Sequence, residues 1–236
     1  IKDKLGYAPQ HNSFYPKLTV AENLLHFGQL YGLGRATTMN NIKGLLEATK
    51  LLPHHNKLAE HLSGGMQKRL DISCSLVHKP KILILDEPTA DLDPMLQKEI
   101  MNFLVQVNKQ GVTLVIASHH LNLMEKVCNK VAIVHNGRVH SHGNMEEIRK
   151  PYLKDNFTIC LSSGENQERI ISLIKTLPVE RIIQRDRHLI IHPKDIAKTI
   201  TGLLTIIREE NLYLHDLDLR QPSLDEIFET ITLHEK

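Results

Sequence analysis

KILILDEP (81–88) is a continuous apolar run closed by two acids and a proline. That pattern predicts a strand buried on both faces, as in a parallel sheet. Pro94 opens a helix with Leu96, Ile100, Phe103, Leu104 and Val107 at helical spacing, and Gly111 ends it. VTLVIAS (112–118) reads as a second buried strand, which completes a βαβ unit. A short helix over about 121–129 leads to VAIVHNGRVHSH, where Asn136-Gly137 marks a two-residue hairpin turn. Ahead of this core, TVAENLLHFGQLYG (19–32) and MNNIKGLLEATKLL (39–52) carry helical periodicity. A further helix after Gly65 places Met66, Leu70, Cys74 and Val77 on one face and leaves Lys68, Arg69 and Asp71 off it; Lys68 and Arg69 either steer phosphate or, as expected, lie on a solvated face.

Pro151 marks a boundary in this rhythm. Beyond it FTICLSS reads as strand, ENQERIISLIKTL as helix and VERIIQRDRHLIIHP as two strands. KDIAKTITGLLTIIREE then reads as helix, LYLHDLDL as strand and SLDEIFETIT as a last helix. The order β-α-β-β-α-β-α predicts a small α+β sandwich of ferredoxin-like type.

A length of 236 residues suits one large domain or a medium domain with a small one, and 41% hydrophobic content supplies a core. The formal net charge of +2 gives no bulk electrostatic footprint for nucleic acid or an anionic membrane. The longest apolar runs fall far short of the about 20 residues a membrane-spanning helix needs. Cys74, Cys128 and Cys160 are scattered and odd in number, which favours free, buried thiols in a reducing compartment.

Three places invite chemistry. Asp86 and Glu87 end a parallel strand at the sheet edge where ligands bind in open α/β folds. Two adjacent acids there can hold a magnesium ion and polarise a water, or simply carry a strand out through a polar turn. His119, at the end of the neighbouring strand, can contact a phosphate or make one local hydrogen bond. Ser63, Gly64 and Gly65 stand where a helix begins, either as an ordinary capped turn or as a bared helix terminus for an anion. Among the 15 histidines, His54-His55 and His140/His142 are close pairs, too few for a zinc site, so no metal beyond magnesium is expected. Phe14, Tyr15 and Pro16 form either a docking patch or a locally packed loop.

Together these strings resemble the ATPases of ABC transporters. LSGGMQ (62–67) resembles their signature motif, ILILDEPT (82–89) their Walker B strand with the following glutamate, and ADLD (90–93) their D-loop. SHH (118–120) resembles the switch-histidine segment and YAPQ (7–10) the Q-loop. The resemblance covers about residues 1–150 and implies roles. Asp86 would hold Mg2+, and Glu87 would be the general base. His119 would meet the γ-phosphate, and Gln10 would link metal and water to the transporter contact. Ser63, Gly64, Gly65 and Gln67 would close over ATP held by a second ABC subunit, homologous or identical, with Asp93 crossing the same interface.

TVAENL, LDEPTADLDP and the ending QPSLDEIFETIT look like ATP-binding subunits of drug- or lipid-exporting systems whose permease is a separate membrane chain. That implies a cytoplasmic protein, peripheral on the inner membrane face, with no nucleic-acid partner. The expected fold class is α/β: a partial P-loop ATPase core over 1–150 with a helical subdomain over about 18–75, plus an accessory ferredoxin-like domain over 151–236. One departure stands out: no G-x-x-x-x-G-K followed by Ser or Thr occurs. Residues 1–236 are therefore expected to be the C-terminal part of a longer ATPase, inactive alone. The rival expectation is a non-catalytic partner that lends only its signature motif to a dimer.

Overall fold

The computed structural model describes residues 2–152, 158–163, 167–185, 188–210, 214–220 and 222–233. It forms two compact units, Ile1–His120 and Leu121–Lys236.

In the first unit the order is β1 (Leu5–Ala8), α1 (Val20–Leu30), α2 (Arg35–Ala48), α3 (Gly64–Leu76), β2 (Ile82–Asp86), α4 (Pro94–Lys109) and β3 (Thr113–Ala117). The three strands form a parallel sheet with β2 in the centre. Ala8 pairs with Leu85, and Asp86 with Ala117. Gln10, Asp86-Glu87 and Ser118-His119-His120 therefore all leave the carboxyl edge of one sheet. The four-residue strand β1 is too short to show a periodicity, and the sequence reading missed it.

One face of the sheet is buried and the other is not. Gly6, Ala8, Leu83 and Leu85 are buried. α3 lies against β1, and a Cβ on Gly6 would stand 2.4 Å from the Ser75 carbonyl. Tyr7 (49% exposed), Ile84 and Val115 (50%) share the opposite face. The expectation of a strand buried on both faces is thus corrected: among the described residues α3 packs on β1 and α4 on β3, while the face bearing Tyr7 and Val115 is exposed.

The helical region has its own core, in which Val20, Leu24, Leu51 and Leu70 are fully buried. Thr19 starts α1 with a reciprocal capping box: its hydroxyl accepts from the Glu22 N–H, and the Glu22 carboxylate accepts from the Thr19 N–H. Phe14 joins this core, while Tyr15 is half exposed and meets His26 edge-on at 4.8 Å. Phe14 thus follows the reading of a locally packed loop. Cys74 is buried and Cys128 half-buried, both free, with thiols pushed up by burial. Cys160 falls on a strand described by its backbone alone.

The helix expected to be amphipathic is corrected too. α3 is buried nearly all round, including Lys68, Asp71 and Ser73. It runs between α1, β1 and α4, so there is no water for a polar face to meet. Its charged groups find protein partners instead.

In the second unit, α5 (Leu121–Val127), the hairpin β4 (Val131–His135) and β5 (Arg138–Gly143), and α6 (Met145–Arg149) precede β6 (Thr158–Ser163). Asn136 and Gly137 both have positive φ (47° and 72°), as a tight hairpin turn of the primed type requires. α7 (Gln167–Ile174), β7 (Val179–Arg185), β8 (His188–Pro193), α8 (Ile196–Glu209), β9 (Leu214–Arg220) and α9 (Leu224–Leu233) follow. The four strands form an antiparallel sheet in the order β7-β8-β6-β9, the ferredoxin-like topology expected from the element order. Leu212 and Tyr213, read as part of the last strand, lie outside the described residues.

α9 packs Leu224, Ile227 and Ile231 against Ile133 and Ile148. The Glu125 carboxylate accepts from the Leu224 N–H at 3.3 Å and pairs with Arg149, whose Nε donates to the Pro222 carbonyl at 3.0 Å. The hairpin segment and the C-terminal helix thus share one core.

Candidate active site at the sheet edge

β2 delivers Asp86 and then turns sharply. Glu87 sits at φ +45°, a left-handed conformation that costs a non-glycine residue about 1–3 kcal/mol. Its N–H still donates to the Ala117 carbonyl at 2.9 Å, which ties the turn to the end of β3. The side chain is held from three sides. The His119 N–H donates to Glu87 Oε1 at 2.9 Å, and His119 Nδ1 lies 2.7 Å from the same oxygen. The Ser118 hydroxyl donates to Oε2 at 3.0 Å. Burial pushes the Glu87 carboxyl up, but the hydrogen bonds from His119 and Ser118 outweigh it and hold the group below the ordinary carboxylate value.

The sign of the pH effect follows. A carboxyl depressed in the fold adds stability that is present above its unfolded value of about 4.3. That stability is lost as pH falls through the lower folded value. Titration of the Glu87 carboxyl carbon by NMR is expected to give a midpoint below about 4.3. In the His119→Ala variant the midpoint is expected to rise, because the ring hydrogen bond is gone while the backbone one remains. A midpoint unchanged by that substitution would remove His119 from the account.

Asp86 is half-buried, and its carboxylate makes no hydrogen bond or ion pair among the described residues. An unpartnered carboxylate at a ligand-binding edge fits a hard divalent cation such as Mg2+. Gln10 is exposed on the same edge, and its backbone is clamped: Lys68 Nζ donates to the Pro9 and Gln10 carbonyls at 3.3 and 3.2 Å. Burial pushes the Lys68 ammonium down, and Asp71, Asp86 and Asp91 offset part of this. Arg69 pairs with Glu99 at 2.8 Å and reaches the Thr49 carbonyl. Asp71 accepts from both the Ser13 N–H and the Ser13 hydroxyl at 2.7 Å. These three charged residues support the loop after Gln10 and the helices around it. Reading them by periodicity missed this, although Lys68 and Asp71 are spaced as same-face neighbours.

Ser63 occupies the N-cap of α3, but its side chain caps nothing. Gly64 is exposed, with open space where a Cβ would be. Gly65 is different: a Cβ there would come within 3.0 Å of Leu96 on α4. Packing against Leu96 thus gives Gly65 a reason of its own to be glycine, whereas Gly64 meets open space. Gln67 sits one turn in, donates to the Ala59 carbonyl at 3.2 Å, and lies 3.5 Å from Asn12 in the loop after Gln10. Asp93 is the N-cap of α4 and accepts from the Met95 and Leu96 N–H groups at 3.0 Å. Contact between Gly65 and Leu96 sets the two helix starts beside each other.

These placements separate two glycine roles by experiment. Gly65→Val is expected to cost about 1–3 kcal/mol by overpacking Leu96. Gly64→Ala is expected to leave stability within about 0.5 kcal/mol, so any fall in activity reports on the anion site alone. Thermal melts of the two variants check this.

A family model described as "ABC transporter" matches residues 1–90, and one described as "ATP-binding protein DrrA1-3-like, C-terminal domain" matches residues 143–232. The linearmycin resistance ATP-binding protein LnrL of Bacillus subtilis is 29% identical over 98% of this chain and 75% of its own length. The daunorubicin resistance ATP-binding protein DrrA3 of Streptomyces coeruleorubidus is 28% identical over 98% of this chain and 73% of its own. A solved ATP-binding subunit of an ABC transporter superposes with a TM-score of 0.57 at 26% identity, covering 72% of this chain and 68% of that one. Among the described residues, no helix is long and apolar enough to cross a membrane. The chain belongs to the ATP-binding proteins of ABC transporters.

Proposed function

We propose that this protein hydrolyses MgATP to power export through a separate membrane permease. It would work as one of two ABC subunits that close head to tail, on the cytoplasmic face of the membrane and without a nucleic-acid partner. The observation that carries the reading is the sheet edge itself: an unpartnered Asp86 beside a Glu87 held by His119 and Ser118. Glu87 orients the attacking water, and His119 meets charge on the γ-phosphate. Asp86 and Gln10 would hold Mg2+, which would supply positive charge to neutralise the phosphates. Ser63, Gly64, Gly65, Gln67 and Asp93 face the nucleotide of the partner subunit, with Gly64 as the open approach.

Residues 1–150 form the ATPase part and 151–236 the accessory part in this proposal. Residues 1–236 contain no P-loop motif. The transported substrate is selected by the permease. The missing motif also favours one second reading, a non-catalytic partner subunit. Mg2+-dependent phosphate release by the full-length protein, copurified with its permease in proteoliposomes, tests both. Release that stops on adding EDTA supports the catalytic reading. ATP that is neither bound nor cleaved supports the partner reading.

A further inference from the structure

We propose that Glu87, His119 and His120 form a site for a borderline-soft divalent cation of the zinc class, whose occupancy withdraws Glu87 and His119 from nucleotide chemistry. Ligand atoms of the three side chains lie within 4.8 Å of one another. A tetrahedral zinc ion with bonds of about 2.1 Å needs its ligands about 3.4 Å apart, so small side-chain rotations close the set.

The second histidine makes the site. Successive residues of an extended chain point to opposite sides. Here the His119 and His120 rings instead lie 4.2 Å apart, tilted by 34°. The cause is local. Ser118 turns inward to donate to Glu87, and the His120 N–H donates to the Ser118 hydroxyl at 3.1 Å. The chain thus wraps around the Glu87 carboxylate and presents both imidazoles on one side. The plain alternative is a Glu87–His119 hydrogen bond with a surface histidine stacked beside it.

Two imidazoles and one carboxylate, with a fourth position open to water, form a donor set that zinc uses. Imidazole nitrogen favours zinc over magnesium, whereas the lone carboxylate of Asp86 suits magnesium. The two ions are therefore separated by ligand chemistry at adjacent residues. His54-His55 and His140/His142 join no such group among the described residues.

Binding does not depend on the ATPase reading; only the inhibitory consequence rests on it. The test uses full-length protein without nucleotide, with Co2+ as the spectroscopic probe and Zn2+ as competitor. Wild type is expected to develop visible cobalt absorption at one ion per chain, abolished by equimolar Zn2+. His120→Ala and His120→Asn are each expected to weaken binding at least tenfold. Both variants are expected to keep MgATP turnover measured without zinc-class ions and to escape inhibition by Zn2+. Cobalt absorption that is absent in wild type, or unchanged in both variants, overturns the site. Binding that needs His120 but leaves turnover unaffected overturns the inhibitory role.

Discussion

Glu87→Gln in the full-length protein is expected to cut ATP turnover by roughly 10²–10⁴-fold, the usual contribution of a positioned general base. MgATP binding is expected to persist. Glutamine keeps the length of the side chain and one oxygen for the Ser118 hydroxyl or the His119 N–H. What it loses is the negative charge that orients and polarises water. The carboxylate is fixed in place by the Ser118 hydroxyl and by His119, so its charge is presented in one direction. Turnover of the variant should therefore stay low across neutral pH. Single-turnover phosphate release at saturating ATP reads the chemical step apart from binding. Turnover within twofold of wild type would show that Glu87 lies outside the reaction.

Asp71→Ala is the substitution expected to cost most in stability. Asp71 is fully buried in α3, and one of its oxygens takes two short hydrogen bonds from Ser13. Hydrogen bonds to a charged group contribute about 1.5–3 kcal/mol each. The other oxygen, Oδ2, is buried without a partner, so its removal relieves part of the cost. A net loss of about 2–4 kcal/mol is expected. Asp71→Asn keeps an acceptor for Ser13 and should cost about half as much. Chemical denaturation of both variants checks the order. If alanine proves no worse than asparagine, the Ser13 bonds do not hold the loop after Gln10.

Much of this architecture was legible in the chain. The run 81–88, the proline at 94 and the glycine at 111 mark a βαβ unit, because strand burial, helix starts and positive φ each demand particular residues. Gly111 does adopt φ +95°, and Asn136-Gly137 does form the turn. The ferredoxin-like order survives in the observed sheet because each element is long enough to show its period.

What periodicity could not show depends on partners far along the sequence. Lys68, Arg69 and Asp71 look solvent-facing until Pro9 and Gln10, Glu99, and Ser13 are folded around them. That Gly65 has no room for a side chain is visible only once Leu96 is folded above it. Asp93 is likewise occupied in capping α4. His120 passed unnoticed because strand alternation places neighbours on opposite sides, and only the Ser118 turn brings the rings together.

The most direct test of the central claim is the solution mass of the full-length Glu87→Gln protein by light scattering, with and without MgATP. With hydrolysis blocked, nucleotide should hold two chains together through Ser63, Gly64 and Asp93. The account predicts a mass that doubles on adding MgATP and returns to monomer when Mg2+ is chelated. A mass that stays monomeric at saturating MgATP would contradict it.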